Sequence, residues 1–268
     1  MAMDKERFDA ARLESRLQGR AMDWRVRFFP TVDSTNRLAL RLAREGAPEG
    51  TIVIADEQTR GRGRLQRVWQ SPPDRNLYAS LVLRPAVEPA SASLITLTAG
   101  VAAAEAIAGL CPRGVGLKWP NDVLVGGRKV CGILTEIKTA GRAVDAVVVG
   151  IGLNVNMAAE EFAPEHRASA TSLREETGRW ISREEAAFRL CDSWERWYGI
   201  FLAKGFAPVR VQWLAYSAMA GARVKVRFQG EVREGAVAGI DHDGALLLED
   251  EAGAVLKVIA GDATIVKE

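Results

Sequence analysis

A stretch of eight residues carries four arginines and two glycines, in the order Arg60, Gly61, Arg62, Gly63, Arg64, Leu65, Gln66 and Arg67. Guanidinium groups are planar forks that bind carboxylate or phosphate. Glycine adopts positive φ readily, which would let this backbone fold over a ligand. Such a loop suits a reaction that brings two anions together. A solvated, arginine-rich loop that binds nucleic acid loosely explains the same pattern equally well.

Four polar residues follow one another at Asp33, Ser34, Thr35 and Asn36, directly before a predicted helix. At least one of them is expected to be the N-cap of that helix. Four consecutive polar residues are more than an N-cap requires. The surplus hydroxyl and amide groups are suited to hydrogen-bonding the neutral polar head of a ligand, such as a urea or an amide.

Single polar residues near apolar strands have two interpretations each. Lys129 precedes an apolar run that contains Gly132, and taken by itself an ordinary solvated hairpin lysine explains it better than a ligand contact does. Asn154 and Asn156 follow the apolar run 144–153. They are either plain turn residues or amide groups that meet Mg²⁺ or phosphate.

The strands that would position these residues are indicated by apolar runs and turn residues. Residues 51–55 predict a buried strand that leads into the arginine loop, a common place for an active site in α/β proteins. Residues 25–29 alternate as a strand that Pro30 stops. Residues 76–83 predict a strand, residues 116–125 and 128–136 a hairpin turning at Gly126 and Gly127, and residues 144–153 a central strand.

Helices are predicted over residues 4–19, 37–45, 91–110, 182–204 and 207–218, with a short helix after Ser172 in an otherwise irregular segment. Ser182 and Glu185 form a capping-box pattern at the start of the long helix. From residue 221 the chain changes to short alternating strands separated by glycine turns. We therefore expect an N-terminal extension over residues 1–24, a main domain over 25–217 and a small all-β domain over 218–268.

Composition excludes several classes of protein. The formal charge is +2, from 36 basic and 34 acidic residues in 268, so no overall field favours nucleic acid or an anionic membrane as the main partner. No run is apolar enough to span a bilayer, and the charged start is unlike a signal peptide. Three scattered cysteines and two distant histidines predict reduced thiols in the cytoplasm and no zinc site.

Taken together, five groups of residues resemble biotin protein ligases, in the same order along the chain. They are Asp33 to Asn36; Gln58, Gly61 to Arg64, Arg67 and Trp69; Asn76 to Tyr78; Lys118 to Asp122 with Lys129 and Gly132 to Leu134; and Gly150 to Asn154. The resemblance covers nearly all of residues 25–268.

The resemblance implies an α+β fold: a mixed sheet flanked by helices, similar to class II aminoacyl-tRNA synthetases, with a C-terminal SH3-like β-barrel. It implies that Mg²⁺-bound ATP activates biotin as biotinyl-5'-adenylate. A lysine of the biotin carboxyl carrier domain of acetyl-CoA carboxylase, or of a similar acceptor, then attacks that anhydride. No DNA or membrane partner is expected, since there is no room for a DNA-binding domain before Arg25, and a homodimer is compatible with the pattern.

The resemblance also implies roles for particular residues, with Arg62, Arg64 and Lys129 as the catalytic cations. The biotin site would consist of Ser34, Thr35, Asn36, Gln58, Gly61, Arg62, Gly63, Arg64, Lys129, Gly132, Ile133 and Gly150. The ATP site would consist of Arg64, Arg67, Trp69, Asn76, Lys118, Asn121, Asp122 and Asn154, with Asn121, Asp122 and Asn154 facing the metal.

Two departures from the family pattern bear on these roles. Gln66 stands where family members often have glycine, which predicts a stiffer loop. Val266 stands where some members carry arginine, which weakens the expectation of ATP contacts from the barrel. The rival interpretations are a lipoate ligase, a nucleic-acid binder that uses the arginine loop, and an inactive scaffold that uses its barrel as an interaction module.

Overall fold

The computed structural model describes residues 7–88, 91, 93–141, 143–228 and 230–266. A seven-stranded mixed sheet has the order β1-β2-β3-β7-β6-β5-β4. Its strands are β1 (Arg25–Val32), β2 (Thr51–Gln58), β3 (Leu77–Leu83), β4 (Val115–Lys118), β5 (Asp122–Val125), β6 (Arg128–Ala140) and β7 (Ala143–Leu153). Strands β1 and β2 are parallel, and the other neighbours are antiparallel. The central position predicted for residues 144–153 is confirmed, since β7 lies between β3 and β6.

Helices cover both faces of this sheet. They are α1 (Ala10–Leu17), α2 (Thr35–Arg44), α3 (Leu94–Ala108), α4 (Leu173–Thr177), α5 (Arg183–Lys204) and α6 (Phe206–Ala215). Helix α2 buries Leu38 and Ala39 against Val53, Val82 and Val148 on one face. The larger core, which includes α3 and α5, lies on the other face. Because α2 covers only part of its face, sheet surface beside its N-terminus is left for a cavity.

Several predicted boundaries were wrong. The strand predicted over residues 116–125 is two paired strands, β4 and β5, separated at residues 119–121. Strand β1 continues through Pro30, and Thr31 and Val32 still pair with β2. Proline lacks an N–H donor, but β1 is the edge of the sheet, where a missing donor costs no ladder bond. Helix α1 begins at Ala10 because the Asp9 side chain accepts a hydrogen bond from Arg12 N at 2.9 Å and caps it. The predicted start of this helix lies partly in residues 1–6, outside the described residues.

A second, antiparallel sheet follows α6. It contains β8 (Arg223–Phe228), β9 (Glu231–Ile240), β10 (Leu246–Glu249), β11 (Val255–Val258) and β12 (Asp262–Ile265) in the order β11-β10-β9-β8-β12. The predicted SH3-like C-terminal fold is confirmed. Trp119 Nε1 donates to Gly244 O at 3.0 Å, and Arg210 Nε donates to Ile240 O at 2.7 Å. These two bonds attach the small sheet to the first domain, beside the arginine loop.

None of the helices in the described residues is long and apolar enough to cross a membrane.

Candidate active site

A cavity of about 1100 Å³ lies over β6 and β7, where three glycines form its floor. Gly132 pairs with Gly152, and Leu134 pairs with Gly150. A Cβ at Gly150 would lie 2.0 Å from Asn36 Oδ1, and a Cβ at Gly152 would lie 2.5 Å from the Trp69 indole. The glycines are therefore required so that Asn36 and Trp69 can rest directly on the sheet.

One end of the cavity is lined by the neutral polar residues Ser34, Thr35, Asn36 and Gln58. We call these four residues, together with the buried Ser80 that bonds to them from behind, the neutral end. Gln58 Oε1 accepts hydrogen bonds from Thr35 N at 2.9 Å and from Thr35 Oγ1 at 3.1 Å. The Ser80 hydroxyl lies 2.8 Å from Thr35 Oγ1 and 2.6 Å from Asn36 Oδ1. Ser80 is 0% exposed, and Thr35 and Asn36 are each 4% exposed. Donors and acceptors at this end are fixed by one another.

The start of α2 explains why these groups meet. Ser34 is the N-cap residue, yet its side chain makes no capping bond. Instead, Asp33 Oδ1 accepts from Ser34 N at 2.7 Å. Although burial opposes it, hydrogen bonds from Arg37 and from Ser34 N hold the pKa of Asp33 below its usual value. The neighbouring carboxylate thus binds the end of the helix and leaves the Ser34 hydroxyl at the cavity wall.

The arginine loop folds differently from the prediction. Positive φ occurs at Leu65 (52°) and Gln66 (62°), and Gly61 and Gly63 have negative φ. Gly61 is needed for a close approach, because a Cβ there would lie 2.3 Å from Trp69 O. The left-handed backbone therefore falls on Gln66, where family members often have glycine. A glutamine in this conformation carries strain that glycine would not.

Three loop arginines pair with two carboxylates. Arg62 Nη2 lies 3.3 Å from Glu136 Oε1. Arg64 Nη1 lies 3.1 Å from Asp262 Oδ1, and Arg67 Nη2 lies 2.7 Å from Asp262 Oδ2. Asp262 begins β12, so the C-terminal sheet holds the loop directly. Arg62 and Arg64, expected to act together, are attached to different elements.

We call the other end of the cavity the cationic end: Arg64, Arg67, Lys118 and Lys129, with the carboxylates Asp122 and Asp262. Lys129 Nζ lies 2.5 Å from Asp122 Oδ1, and Lys118 Nζ lies 3.6 Å from Asp122 Oδ2. Lys129 Nζ also lies 5.3 Å from the centroid of the Trp69 ring, within cation–π range. Several partly exposed cations are thus concentrated where the cavity opens.

The three predicted metal ligands do not form a ready metal site. Asn121 Oδ1 accepts from Arg64 Nη1 at 3.2 Å, and both oxygens of Asp122 face lysines. Asn154 Nδ2 donates to Thr171 O at 3.0 Å, and Asn154 is 4% exposed. Mg²⁺ prefers carboxylate and phosphate oxygens. The donor set therefore offers one carboxylate that is already paired with two ammonium groups, which does not fit a resident ion.

Most of the predicted site residues line the cavity, and three are placed differently. Asn76 is buried, its Oδ1 accepts from Val155 N at 2.9 Å, and it stabilises the end of β7 instead of lining the cavity. Gly61 is not among the lining residues. The Ile133 side chain is 2% exposed and belongs to the larger core, so Ile133 offers the cavity only its backbone.

Residues that the sequence reasoning missed also belong to the site. Ser80 joins the neutral end, Glu136 holds Arg62, and Asp262 holds Arg64 and Arg67. Ser80 had a signal, since it is a polar residue inside the apolar run 77–83. His166 and Ser169 line the cavity from an irregular segment that carried no signal.

Comparison with known families gives two matches. Residues 28–154 match the biotin/lipoate A/B protein ligase family, and residues 220–265 match the biotin protein ligase C terminal domain. Together they include the floor glycines, the arginine loop and most of the C-terminal sheet.

Individual relatives extend over nearly the whole chain. The biotin--[acetyl-CoA-carboxylase] ligase of Paracoccus denitrificans is 39% identical over 224 residues, which are 82% of this chain and 92% of the relative. The enzyme of the same name from Mycobacterium tuberculosis is 35% identical over 262 residues, 95% of this chain and 94% of the relative. The structure of biotin protein ligase from Aquifex aeolicus in complex with biotin and ATP has a TM-score of 0.79 and 29% identity, and the match covers 91% of this chain and 99% of that chain.

Proposed function

The chain belongs to the biotin/lipoate A/B protein ligase family, and we propose that it is a biotin protein ligase that activates biotin with ATP and attaches it to a lysine of a biotin carboxyl carrier domain. The domain boundaries at residues 24/25 and 217/218 form part of this proposal. The observation that carries the substrate assignment is the division of one cavity into a neutral end and a cationic end. Biotin has the same division, with an uncharged ureido ring and a carboxylate.

In the first step, the biotin carboxylate attacks the α-phosphorus of ATP. A carboxylate–phosphorus bond forms, the bond to the β-phosphate oxygen breaks, and pyrophosphate leaves. Two unit charges about 4 Å apart repel by about 4 kcal/mol at an effective dielectric of about 20. Lys129 and Arg64 are the cations placed to offset this repulsion, because both line the cavity and both are partly exposed.

In the second step, the neutral amine of the acceptor lysine attacks the carbonyl carbon of the anhydride. An amide bond forms, AMP leaves, and the amine loses its proton. No nucleophile on the enzyme takes part. The buried Cys131 agrees with this, because burial raises the pKa of its thiol to about 12, far from a reactive thiolate.

We propose that Mg²⁺ enters with ATP as part of the substrate. The triphosphate supplies most of its oxygen ligands, and Asp122 is a carboxylate of suitable chemistry in the lining of the cavity. None of the roles assigned to the protein's own residues depends on the ion.

Two other functions are less well supported. The neutral end lines the cavity with polar side chains, including the Ser34 hydroxyl, which makes no capping bond, and an apolar dithiolane ring offers them no hydrogen-bond partner, so lipoate fits worse than biotin. Loose binding of nucleic acid is less well supported because Arg62, Arg64 and Arg67 line the same cavity as the neutral end, and the formal charge of the chain is only +2.

Isotope exchange between pyrophosphate and ATP tests the assignment, measured with biotin and with lipoate side by side. We expect exchange with biotin only, and we expect Lys129→Ala to reduce it by about a hundredfold or more, the range for removing one group that stabilises developing charge. Lys138→Ala is a matched control, since Lys138 lies on the same strand, is also 32% exposed and pairs with Asp145 outside the cavity. Exchange with lipoate alone would transfer the assignment to a lipoate ligase. Salt-sensitive RNA binding without exchange would favour the assignment as a nucleic-acid-binding protein.

A further inference from the structure

Glu136 joins two parts of the site that are far apart in sequence. Its Oε2 accepts a hydrogen bond from Asn36 Nδ2 at 2.8 Å. The same carboxylate accepts from Arg62 Nη2, at 3.3 Å to Oε1 and 3.4 Å to Oε2. Asn36 belongs to α2, Arg62 to the arginine loop and Glu136 to β6. One carboxylate therefore ties a helix and a loop to the sheet at the neutral end.

The contact fixes which way the Asn36 amide faces. Asn36 Nδ2 donates to Leu134 O at 3.0 Å as well as to Glu136, so both of its amide hydrogens are used. Asn36 Oδ1 then accepts from Ser80 at 2.6 Å. A flipped amide would bring its oxygen against two acceptors. Glu136 thus keeps the oxygen toward Ser80 and Gly150, where the other neutral groups lie.

The contact also changes what Arg62 can do. A guanidinium that is paired with a carboxylate keeps donors for a further acceptor. Arg62 Nε is buried and has no hydrogen-bond partner within the described part of the chain. A buried donor of this kind is costly until it is satisfied. Because Glu136 ties Arg62 to Asn36, Arg62 lies beside the neutral end, where it suits a neutral acceptor such as a urea carbonyl. Arg64 and Lys129 are held instead at the cationic end, by Asp262 and Asp122.

We propose that Glu136 is a positioning residue for biotin, which acts by holding the Asn36 amide and the Arg62 guanidinium together at the neutral end. The proposal rests on the proposed function, because it names which part of biotin those two groups meet. It assigns Arg62 to the ureido ring and separates it from Arg64. Loss of Glu136 should then weaken biotin binding and leave the nucleotide subsite intact.

Steady-state exchange kinetics of Glu136→Ala test this. We expect the KM for biotin to rise by about tenfold or more, the usual effect of losing hydrogen bonds to a charged group, with the KM for ATP changing less than about twofold. Glu136→Gln should be intermediate, since an amide oxygen can still accept from Asn36 but cannot neutralise Arg62. In the double variant Arg62→Ala/Glu136→Ala, the loss should be little greater than in Arg62→Ala alone.

Asp145→Ala is the matched control. Asp145 lies on the neighbouring strand β7, is 28% exposed like Glu136, and pairs with Arg84 and Lys138 outside the cavity. It should leave both KM values unchanged, and unfolding midpoints should confirm that each variant is folded. An unchanged KM for biotin in Glu136→Ala, an equal rise in both KM values, or losses that multiply in the double variant would each overturn the proposal. Absence of biotin-dependent exchange in the unmodified protein would instead overturn the proposed function.

Discussion

The neutral end and the cationic end of the cavity differ in burial and in the kind of contact that holds their side chains. At the neutral end, Thr35, Asn36 and Ser80 are at most 4% exposed and are satisfied by one another through hydrogen bonds. At the cationic end, the Arg64 and Arg67 side chains are 27% and 70% exposed and are held by ion pairs.

The difference lies in how readily each contact can be exchanged. A buried network of neutral groups has little freedom to rearrange, because any broken bond leaves an unsatisfied polar atom. Ion pairs near solvent contribute about 0–1 kcal/mol each, so a triphosphate can replace the carboxylates at small cost. The neutral end therefore acts as a preformed template, and the cationic end as a set of cations held temporarily by Asp122 and Asp262.

The largest effect on biotin binding is expected from a substitution that displaces a side chain of the neutral end. A Cβ at Gly150 would lie 2.0 Å from Asn36 Oδ1, so Gly150→Ala must displace the Asn36 amide. We expect the dissociation constant for biotin, measured by calorimetry, to rise by about a hundredfold, and the free energy of unfolding to fall by about 1–3 kcal/mol. Overpacking is the physical reason for both effects.

Gly199→Ala in α5 is the control for that change. An added Cβ at Gly199 meets no atom within 4 Å, so this variant should keep its affinity for biotin and gain about 0.5–1 kcal/mol of stability from helix propensity. Wild-type affinity in a folded Gly150→Ala protein would mean that the template is not preformed.

The neutral end was the more predictable of the two from sequence. A run of four polar residues before a helix, Gln58 at the end of a strand, and Gly150 in an apolar run are local signals. These residues come together because of the order of the strands in the sheet. The family resemblance implied that order, and local sequence patterns did not. Glu136 was missed because its partners, Asn36 and Arg62, are 100 and 74 residues away.

The loop was predictable in composition but not in conformation. The two glycines predicted positive φ at Gly61 and Gly63, but Leu65 and Gln66 adopt it instead. Gly61 is required for a different reason, which is its close approach to Trp69. Arg64 pairs with Asp262, which is 198 residues away in sequence, and no local sequence pattern predicts such a contact. Long-range ion pairs depend on how the two sheets dock, which is set by buried contacts such as Trp119 to Gly244.

An intermediate effect is expected from Arg64→Ala at the cationic end. Its loss removes one cation from the triphosphate side, so the KM for ATP should rise by about tenfold, as for a hydrogen bond to a charged group. The dissociation constant for biotin should change by less than about twofold, because the neutral end does not contain Arg64. Arg20→Ala is a control: Arg20 is 25% exposed and pairs with Glu195 away from the cavity. If affinity for biotin fell as far as affinity for ATP, the two ends would not be separate units.

The smallest effect is expected from Asp262→Asn, which tests whether the cations are held only temporarily. If Asp262 competes with the triphosphate for Arg64 and Arg67, removing its charge should lower the KM for ATP, but by no more than about fivefold, since these pairs are partly exposed and screened. The gain should shrink at about 1 M salt, where the Debye length falls to about 3 Å. Steady-state kinetics at two salt concentrations measure both expectations. A rise in the KM for ATP would show that Asp262 anchors the loop in its working position, and the cationic end would then be as preformed as the neutral one.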